Sequence, residues 1–259
     1  MTVDLLALHN SPETIATMTG QIRDAMLRDS RRVREANFQA IDTDDLARLF
    51  QLYDSRFFGG WLAKAVASTA GATLTFRLSS TMTRAGGKTI RKRRKLKNGT
   101  LGAHFEIAVA TRMLFMNFRE AGRPVTVCGL VCTDRLAALQ RIMEHEMLHL
   151  AEFLFWGKSS CNQPRFKSMA KNIFGHEASR HDLVTSVENA AEKHAVSIGS
   201  RVTFHFDGEF LDGIVNRIHH RATVLVEAAD GMKYRNGKRY RKYYVPVPML
   251  TIRESGSAS

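Results

Sequence analysis

Residues 135–156 read RLAALQRIMEHEMLHLAEFLFW, and the interpretation of the whole chain starts from them. Apolar side chains recur in this stretch at helical spacing, which predicts a helix with one buried face. The apolar positions are Leu136, Leu139, Ile142, Met143, Met147, Leu150 and Leu154. Thr133 or Asp134 can cap the start of this helix, and Gly157 is the residue type that ends helices in a left-handed turn.

The centre of the predicted helix, His145-Glu146-Met147-Leu148-His149, has the HExxH pattern. Residues four positions apart lie one above the other on a helix, so both imidazoles can bind one metal ion. In this pattern Glu146 lies beside the ion as the general base for a water molecule that the ion has made acidic. A charged helix with two surface histidines is the alternative, but the apolar flanks favour a buried face.

The charge balance of the chain predicts a polyanionic partner. The 259 residues include 38 Lys and Arg against 25 Asp and Glu, a formal net charge of +13. Such an excess attracts nucleic acid, although a merely basic protein is the alternative. The hydrophobic content of 44% and the charged content of 24% are ordinary for a globular protein. The length allows an enzyme with an accessory module.

Cysteine usage and apolar run length predict the compartment. The cysteines Cys128, Cys132 and Cys161 are too few for a disulfide framework, which indicates a reducing environment. The first residues, MTVDLLALHNSPE, lack the basic region of a signal peptide, and no apolar run approaches the length of a membrane span. We expect a cytoplasmic protein without a membrane partner, associated with the nucleoid or, in a eukaryotic cell, nuclear.

The first half of the chain predicts helices followed by strands. Residues 1–41 are polar with a weak helical pattern, and we expect a peripheral helical arm there. Asp42 is a good N-cap for an amphipathic helix. Ala72–Ser79 and His104–Leu114 have the composition and alternation of strands. Between them, the basic run Lys88–Lys97 forms either a solvated loop or a basic hairpin beside a phosphate backbone.

Four elements of the chain, in this order, resemble the SprT-like zinc metalloproteases, which include Spartan. The elements are a Tyr-x-x-x-Phe-Phe helix at Tyr53–Gly60, a Met-Thr-x-x-Gly turn within Leu78–Gly87, the HExxH motif, and the helix start Asn162–Phe166. The resemblance covers residues 42–183. It implies a zincin-like fold, Zn²⁺ bound by His145 and His149, and Glu146 as the catalytic base. It also implies an endopeptidase that acts on proteins bound or crosslinked to DNA.

The chain departs from this family at the third zinc ligand. The family has a histidine where this chain has Asn162, and a neutral amide is a poor zinc ligand. We expect the adjacent Cys161 to bind as a thiolate, with His176 and His181 as alternatives, and a zinc-free site is a further alternative. Glu152 shares the face of the two histidines, but three ligands along one straight helix do not readily converge. We therefore expect it to support a ligand instead.

The chain changes character after residue 183. Residues 184–195 are polar and are predicted to be a linker. Residues 196–253 contain short alternating strands separated by Asp-Gly turns, which is typical of a small closed SH3-like or Tudor-like barrel. Residues 254–259 are expected to be a disordered tail. The predicted fold class is α+β, a zincin-like SprT metalloprotease domain at 42–183 followed by this all-β barrel.

Two basic segments are candidate nucleic-acid contacts. The segment near the end of the predicted barrel interleaves tyrosines with cations, and aromatic faces for bases with cations for phosphates suit sequence-tolerant binding. The alternative is that alternate tyrosines pack the barrel while the cations face water. The candidate residues are Arg91, Lys92, Arg93, Arg94, Lys95, Arg239, Tyr240, Arg241, Lys242 and Tyr243.

The sequence as a whole predicts a monomeric zinc endopeptidase that binds DNA or RNA and cleaves protein substrates. A substrate peptide is expected to add as a strand to the edge formed by residues 104–114. The second hypothesis is a nucleic-acid-binding scaffold with a degenerate or structural metal site. The missing third histidine favours it, and Glu146 disfavours it because a structural zinc site needs no general base. A metallohydrolase that acts on RNA or a small substrate is the third.

Overall fold

The computed structural model describes residues 4–83, 85–95, 99, 101–116, 118, 125–180, 182–183, 185–219 and 221–253. The chain is mixed α+β and divides into two units, Met1–Leu183 and Val184–Ser259. The ligand role considered for His181 and the disordered tail predicted at 254–259 concern residues outside this described set. Across the described ranges, no helix is long and apolar enough to cross a membrane.

The described part of the first unit consists of helices around two small sheets. Its helices are α1 (Pro12–Asp29), α2 (Thr43–Phe58), α3 (Trp61–Ser68), α4 (Thr111–Met116), α5 (Arg135–Trp156) and α6 (Pro164–Phe174). Its strands are β1 (Thr73–Ser79), β2 (Gly87–Lys95), β3 (Leu101–Ala110), β4 (Val125–Val127) and β5 (Leu130–Cys132). One apolar core is formed by side chains of all of these elements except β2.

Helix α5 has the predicted bounds and contacts both sheets and the surrounding helices. Its N-cap is Asp134, whose carboxylate accepts a hydrogen bond from the amide of Ala137 at 2.9 Å and pairs with Arg23 at 2.9 Å. Gly157 ends the helix with a φ of 70°. The predicted helix and its C-cap are confirmed, and of the two candidate N-caps the structure uses Asp134. The HExxH motif is therefore held on a buried helix fixed at both ends.

The larger sheet of the first unit has the order β1-β3-β2, with β1 parallel and β2 antiparallel to β3. The basic run is strand β2 rather than a loop, and it pairs with β3 as far as Lys95. Residues 104–114 do not provide a sheet edge, because β3 is central and residues 111–114 belong to α4. Alternation along a strand predicts its faces but not its neighbours, so the sequence could not give this order.

Helix α1 is part of the core rather than a peripheral arm. Ile22 and Met26 are fully buried, and the backbone carbonyl of Thr19 accepts a hydrogen bond from Nε2 of Gln140 at 3.0 Å. Helix α1 contacts both α2 and α5. The few apolar side chains of α1 are sufficient to bury one face of the helix, because α5 provides an apolar surface on which they pack.

Strands β4 and β5 form a hairpin whose turn lies next to α5. Cys128 and Gly129 occupy the turn with φ values of 55° and 80°, the left-handed pair of a type I′ hairpin. The chain after α6 holds the turn, since the carbonyl of Arg180 accepts a hydrogen bond from the amide of Cys128 at 2.8 Å. This packing carries the Cys128 side chain towards the motif helix.

The second unit is one helix and one antiparallel sheet. Its elements are α7 (Ser186–His194), β6 (Arg201–Phe206), β7 (Glu209–Ile218), β8 (Ala222–Lys233), β9 (Arg239–Val245) and β10 (Thr251–Ile252), with a short 3₁₀ turn at Val247–Met249. The strand order is β10-β6-β7-β8-β9. In the described ranges β9 and β10 do not pair, so the sheet is open and the predicted closed barrel is not formed. Strand length and alternation predict neighbouring hairpins but not whether the outer strands meet.

The segment predicted to be a linker is mostly helical. Thr185 caps α7 by accepting a hydrogen bond from the amide of Glu188 at 3.2 Å, and Ala190 is buried in the core of the second unit. Because residues 184–195 are mostly polar, their composition does not indicate that Ala190 is buried in this core. Because the helix is short and mainly exposed, its sequence lacks the periodic stripe by which helices are predicted.

Candidate metal centre

His145 and His149 lie on the same face of α5, one turn apart. Their Nε2 atoms are 3.1 Å from each other. Two nitrogen ligands of a tetrahedral zinc ion are about 3.3 Å apart, so the pair is already spaced for one ion. The ring of Phe166 packs against both imidazoles, with centroid distances of 4.9 and 4.6 Å. The two rings are thus held by packing as well as by the helix.

A hydrogen-bond chain orients the imidazole ring of His149. Nδ1 of His149 lies 2.6 Å from Oγ of Ser159, which donates its own proton to Glu152 at 2.7 Å. Nδ1 must therefore carry the imidazole proton, which leaves the Nε2 lone pair directed at His145. Burial lowers the pKa of His149 to about 4, although the nearby Glu152 opposes that shift. The ring is neutral at physiological pH, as a metal ligand must be.

Glu152 is buried and anchors this chain. Its carboxylate accepts hydrogen bonds from Nε of Arg165 at 2.8 Å and from the amide of Ser160 at 3.0 Å. The guanidinium of Arg165 lies 4.0 Å from the ring centroid of Trp156. Glu152 thus acts on His149 through Ser159. Nothing in the sequence identifies Ser159 as this link.

Cys161 completes a group of three metal-ligating atoms. One ligand atom each from His145, His149 and Cys161 lie within 4.8 Å of one another. Burial raises the pKa of the half-buried Cys161 thiol, so the thiolate that a metal needs forms with the ion rather than before it. Asn162, the position of the family's histidine, is exposed. The structure therefore brings Cys161, ranked first from the sequence, to the two histidines.

A second potential group lies deeper and uses Cys128, His145 and His176. Sγ of Cys128 is 3.7 Å from Nδ1 of His145, the nitrogen that does not face His149. The buried His176 contacts the carboxylate of Glu144 through Nε2 at 2.7 Å. An ion between the two Nε2 atoms of the motif cannot also reach Sγ on the Nδ1 side of the His145 ring. Among the described residues, Cys161 fits the third position better than His176.

Glu146 faces strand β2 and is held there by Thr89. Oγ1 of Thr89 lies 2.7 Å from Oε2 and 2.9 Å from the backbone oxygen of Glu146. Burial raises the pKa of Glu146 to about 7, and the bonds from Thr89 oppose this shift. A carboxylate with such a pKa suits proton transfer near neutrality. The close approach requires Gly87, where an added Cβ would lie 2.7 Å from both Cγ and Oε1 of Glu146.

A buried polar cluster supports the motif helix from behind. Glu144 accepts hydrogen bonds from the hydroxyl of Tyr53 at 2.7 Å and from Nη1 of Arg141 at 2.9 Å. Burial alone would raise the pKa of Glu144, but Arg141 and His176 hold it below its usual value. Tyr53 comes from the helix in which the sequence shows the Tyr-x-x-x-Phe-Phe pattern. That pattern therefore contributes to the site by fixing α5 rather than by touching a ligand.

His145, Glu146, His149 and Cys161 line one cavity of about 500 Å³ in the first unit. One wall is the start of β2, and the opposite wall is the motif face of α5. The remaining wall includes Ser159, Cys161, Ser179 and Arg180. The cavity is large enough for a peptide side chain beside the metal ligands.

The basic residues of β2 do not form a uniform surface. Arg91 donates a hydrogen bond from Nη1 to the carbonyl of Gly157 at 2.7 Å, so it closes the C-terminal end of α5. Residues 92–95 are exposed, with Lys92 and Arg94 on the face of the strand opposite to Arg91. The alternative of a solvated charged loop does not apply to residues 88–95, since they are paired to β3.

The predicted contact residues on β9 are divided among different roles. Tyr240 is buried, and Tyr243 packs against Phe204 with a centroid distance of 5.4 Å. Arg241 pairs with Asp230, and Arg239 donates a hydrogen bond to the carbonyl of Gly231. Lys242 is exposed. The run of tyrosines and cations in the sequence is thus not one continuous binding surface.

No known protein family, curated protein or solved structure matches this chain.

Proposed function

We propose that the first unit is a zinc-dependent endopeptidase, similar in mechanism to the SprT-like proteases. One observation carries the proposal. His145, His149 and Cys161 bring three ligand atoms together beside the buried carboxylate of Glu146, at the wall of a cavity. A structural zinc site is closed by four protein ligands and has no use for a neighbouring base, whereas a catalytic site has three ligands and an accessible position.

The donor set fits zinc. Two neutral imidazoles and one thiolate form a borderline-soft set that zinc accepts in catalytic sites. The protonated Nδ1 of His149 and its link through Ser159 to Glu152 provide the carboxylate support that zinc-binding histidines normally have. The ligand spacing needs no rearrangement of α5.

The chain's own groups carry the proton transfers. Zinc, when bound, supplies a Lewis acid that lowers the pKa of a water molecule and polarises the scissile carbonyl. Glu146 takes the proton from that water and returns it to the leaving amine. Thr89 holds the carboxylate through Oε2, which leaves Oε1 as the oxygen for proton transfer.

Strand β2 is the surface on which a substrate peptide would bind. It is an outer strand of the described sheet, and residues 85–89 line the cavity next to Glu146. An extended peptide that pairs with this strand presents its backbone to the site with little dependence on side chains. The edge at which a substrate peptide would pair is therefore the start of β2 and not residues 104–114.

Strand β2 also supports a nucleic-acid-bound substrate. Its exposed basic part, residues 92–95, begins three residues after Thr89, which is about 10 Å along a strand. A phosphate backbone bound there would hold DNA-associated or DNA-crosslinked proteins near the cavity. The net charge of +13 supports the same class of partner.

The decisive experiment measures cleavage of a basic protein bound to DNA, with and without the DNA. The zinc-loaded wild type and Glu146→Gln are compared, and Glu209→Gln, an exposed glutamate of the second unit, is the matched control. We expect DNA-dependent cleavage by the wild type and by Glu209→Gln, and none by Glu146→Gln. Equal inactivity of all zinc-loaded proteins would contradict the protease and favour the nucleic-acid-binding scaffold.

The third ligand is tested separately by cobalt binding. Cys161→Ser should remove the sulfur-to-cobalt absorption band, while Cys128→Ser should retain it. Changes to groups that only support a ligand weaken metal binding about 10- to 100-fold, and loss of the direct ligand Cys161 should exceed this. The opposite pattern would assign the ion to the deeper group of Cys128, His145 and His176.

A further inference from the structure

The second unit has a groove that the sequence does not predict. It has a volume of about 420 Å³, within the usual range of ligand sites. Among its described lining residues are three cations and one tyrosine, and none of those described is a carboxylate. The lining residues are Asn216, Arg217, His219, Arg221, Thr223, Lys242 and Tyr244.

Strand register places Arg217 and Tyr244 in one row across the sheet. Arg217 pairs with Thr223 of β8, and Thr223 pairs with Tyr244 of β9. The pairing of β7 with β8 shifts between Val215 and Arg217, so Asn216 is the extra residue of a bulge. Such bulges re-aim the side chains that follow.

The row lies on the outer face of the sheet. Val224 and Val245, the neighbours of Thr223 and Tyr244, are buried in the core of the second unit. Since side chains alternate between the faces of a strand, Tyr244 points away from the core. Tyr244 is the sixth of the seven residues of β9, an outer strand of the sheet, and it is 64% exposed. This exposed ring is the one that the sequence reading left out in favour of Tyr240 and Tyr243.

The groove holds positive charge that is not neutralised locally. Elsewhere on the same strands, Arg241 pairs with Asp230, and Lys238 pairs with Glu227. Among the ion pairs between described residues, none involves Arg217, Arg221 or Lys242. The positive charge of the groove, which comes from β7, from the residue before β8 and from β9, is therefore available to a ligand.

We infer that this groove binds single-stranded nucleic acid, with a base stacked on Tyr244 and the adjoining phosphates on Arg217, Arg221 and Lys242. An exposed ring flanked by uncompensated cations is the arrangement that binds unpaired bases with little sequence preference. A duplex hides the faces of its bases, so it can use the cations but not the ring. The inference deepens the proposed function by adding a site for single strands to the basic residues of β2, but it does not depend on the metal centre.

The test uses the full-length, zinc-loaded protein and fluorescence anisotropy. The probes are single-stranded DNA, single-stranded RNA and duplex DNA of about 12 nucleotides, within the usual site size. Tyr244→Ala should weaken binding of single strands about 5- to 100-fold and change duplex binding little, whereas Tyr244→Phe, which keeps the ring, should bind like the wild type. The ratio of the DNA and RNA dissociation constants identifies the preferred strand.

The role of the groove's positive charge is tested with a second set of variants, which has its own matched control. The double variant Arg217→Gln/Arg221→Gln should reduce the slope of log K against log salt by about 1.4 for single strands. Arg241→Gln, which removes an ion-paired cation of the same sheet, should change affinity less than about two-fold. Thermal unfolding of each variant checks that the fold is retained, and the double variant carries the test if Tyr244→Ala does not fold.

Three results would overturn the inference: unchanged single-strand binding by folded Tyr244→Ala, equal losses in Arg241→Gln and the double variant, or tighter binding of duplex than of either single strand. The variant Glu146→Gln distinguishes this inference from the proposed function, because we expect it to lose cleavage and to bind all probes like the wild type. The binding assay therefore tests the groove, and the cleavage assay tests the protease.

Discussion

Gly87 is the residue at which one methyl group should have the largest effect on the candidate site. An added Cβ would lie 2.7 Å from Cγ and Oε1 of Glu146 and 2.8 Å from Ile142. Glu146 must therefore move by a substantial part of an ångström. We expect Gly87→Ala to lower kcat/KM about 100-fold, as small misplacements of catalytic groups do, and to lower the unfolding free energy by about 1–3 kcal/mol.

The matched control is Gly20→Ala in the interior of helix α1, where an added Cβ has no neighbour within 4 Å. Alanine in place of a helical glycine should raise the unfolding free energy by about 0.5–1 kcal/mol and leave cleavage unchanged. Equal activity of both variants would show that the position of Glu146 is not set by its contact with Gly87.

Thr89 allows a test that separates its hydroxyl from its shape. Thr89→Val keeps the branched side chain but removes the hydrogen bond to Oε2 of Glu146. We expect a loss of about 10- to 150-fold in kcat, because a hydrogen bond to a charged group is worth about 1.5–3 kcal/mol. Thr89→Ser should retain most activity, and metal content should be equal in both. A Ser variant as impaired as the Val variant would contradict this role.

For individual residues, the sequence predicted the members of the motif but not the residues that form hydrogen bonds with them. His145, Glu146 and His149 are recognisable because their spacing on one helix is a local property. Thr89 reaches Glu146 from a strand distant in sequence, and Ser159 reaches His149 from the loop that follows α5. Neither residue type nor spacing distinguishes these two from other hydroxyl residues, so only the folded arrangement identifies them.

At the scale of the element, the N-cap of α5 sets the position of the motif. Asp134 both caps the helix and pairs with Arg23 of α1. Asp134→Ala should lower the unfolding free energy at neutral pH by about 1–2 kcal/mol, as measured by urea denaturation. Asp134→Asn keeps a capping oxygen and should fall between the wild type and the Ala variant. An Asn variant as unstable as Ala would show that the ion pair, rather than the cap, dominates.

The same cap has a defined pH dependence. Burial alone would raise the pKa of Asp134, but hydrogen bonds from Arg23, Ala137 and Thr133 hold it below its usual value. A depressed carboxylate pKa contributes stability above the unfolded-state value, near about 3.9, and that contribution disappears as the pH falls through the folded-state pKa. The stability difference between wild type and Asp134→Asn should therefore narrow between neutral pH and about pH 3. A difference that widens on acidification would contradict the assignment.

Strand β2 shows why composition alone leaves the conformation of an element open. Its basic residues allowed either a solvated loop or a basic hairpin, and the structure has the hairpin, in which β2 pairs antiparallel with β3. Thr89 and Arg91 of this strand both contact α5, through Glu146 and Gly157. Pairing with β3 and these two contacts stabilise a strand whose outer part is almost entirely charged. The composition of such a strand mainly reflects its solvent-exposed residues. Its conformation is stabilised by the few side chains that contact the rest of the unit.

At the scale of the whole molecule, each of the two units has its own apolar core. We expect the fragments 1–183 and 184–259 to fold separately, since a domain with its own core is stable alone. Calorimetry of each fragment should give a cooperative transition within about 5 °C of the matching transition in the full chain. A fragment without a cooperative transition would mean that its core needs the other unit.

The sequence alone established the motif helix, its glycine C-cap, the spacing of His145 and His149, and the change of character after residue 183. These features depend on helical periodicity and on capping, which act over a few neighbouring residues. Only the tertiary structure gives the strand order β1-β3-β2. It also determines that Cys161, Thr89 and Ser159 lie next to the motif, and that Tyr244 rather than Tyr240 is exposed. The strand order and the contact of Thr89 depend on residues far apart in the chain. The positions of Ser159, Cys161 and Tyr244 depend on how loops and strands pack in three dimensions, which no local pattern specifies.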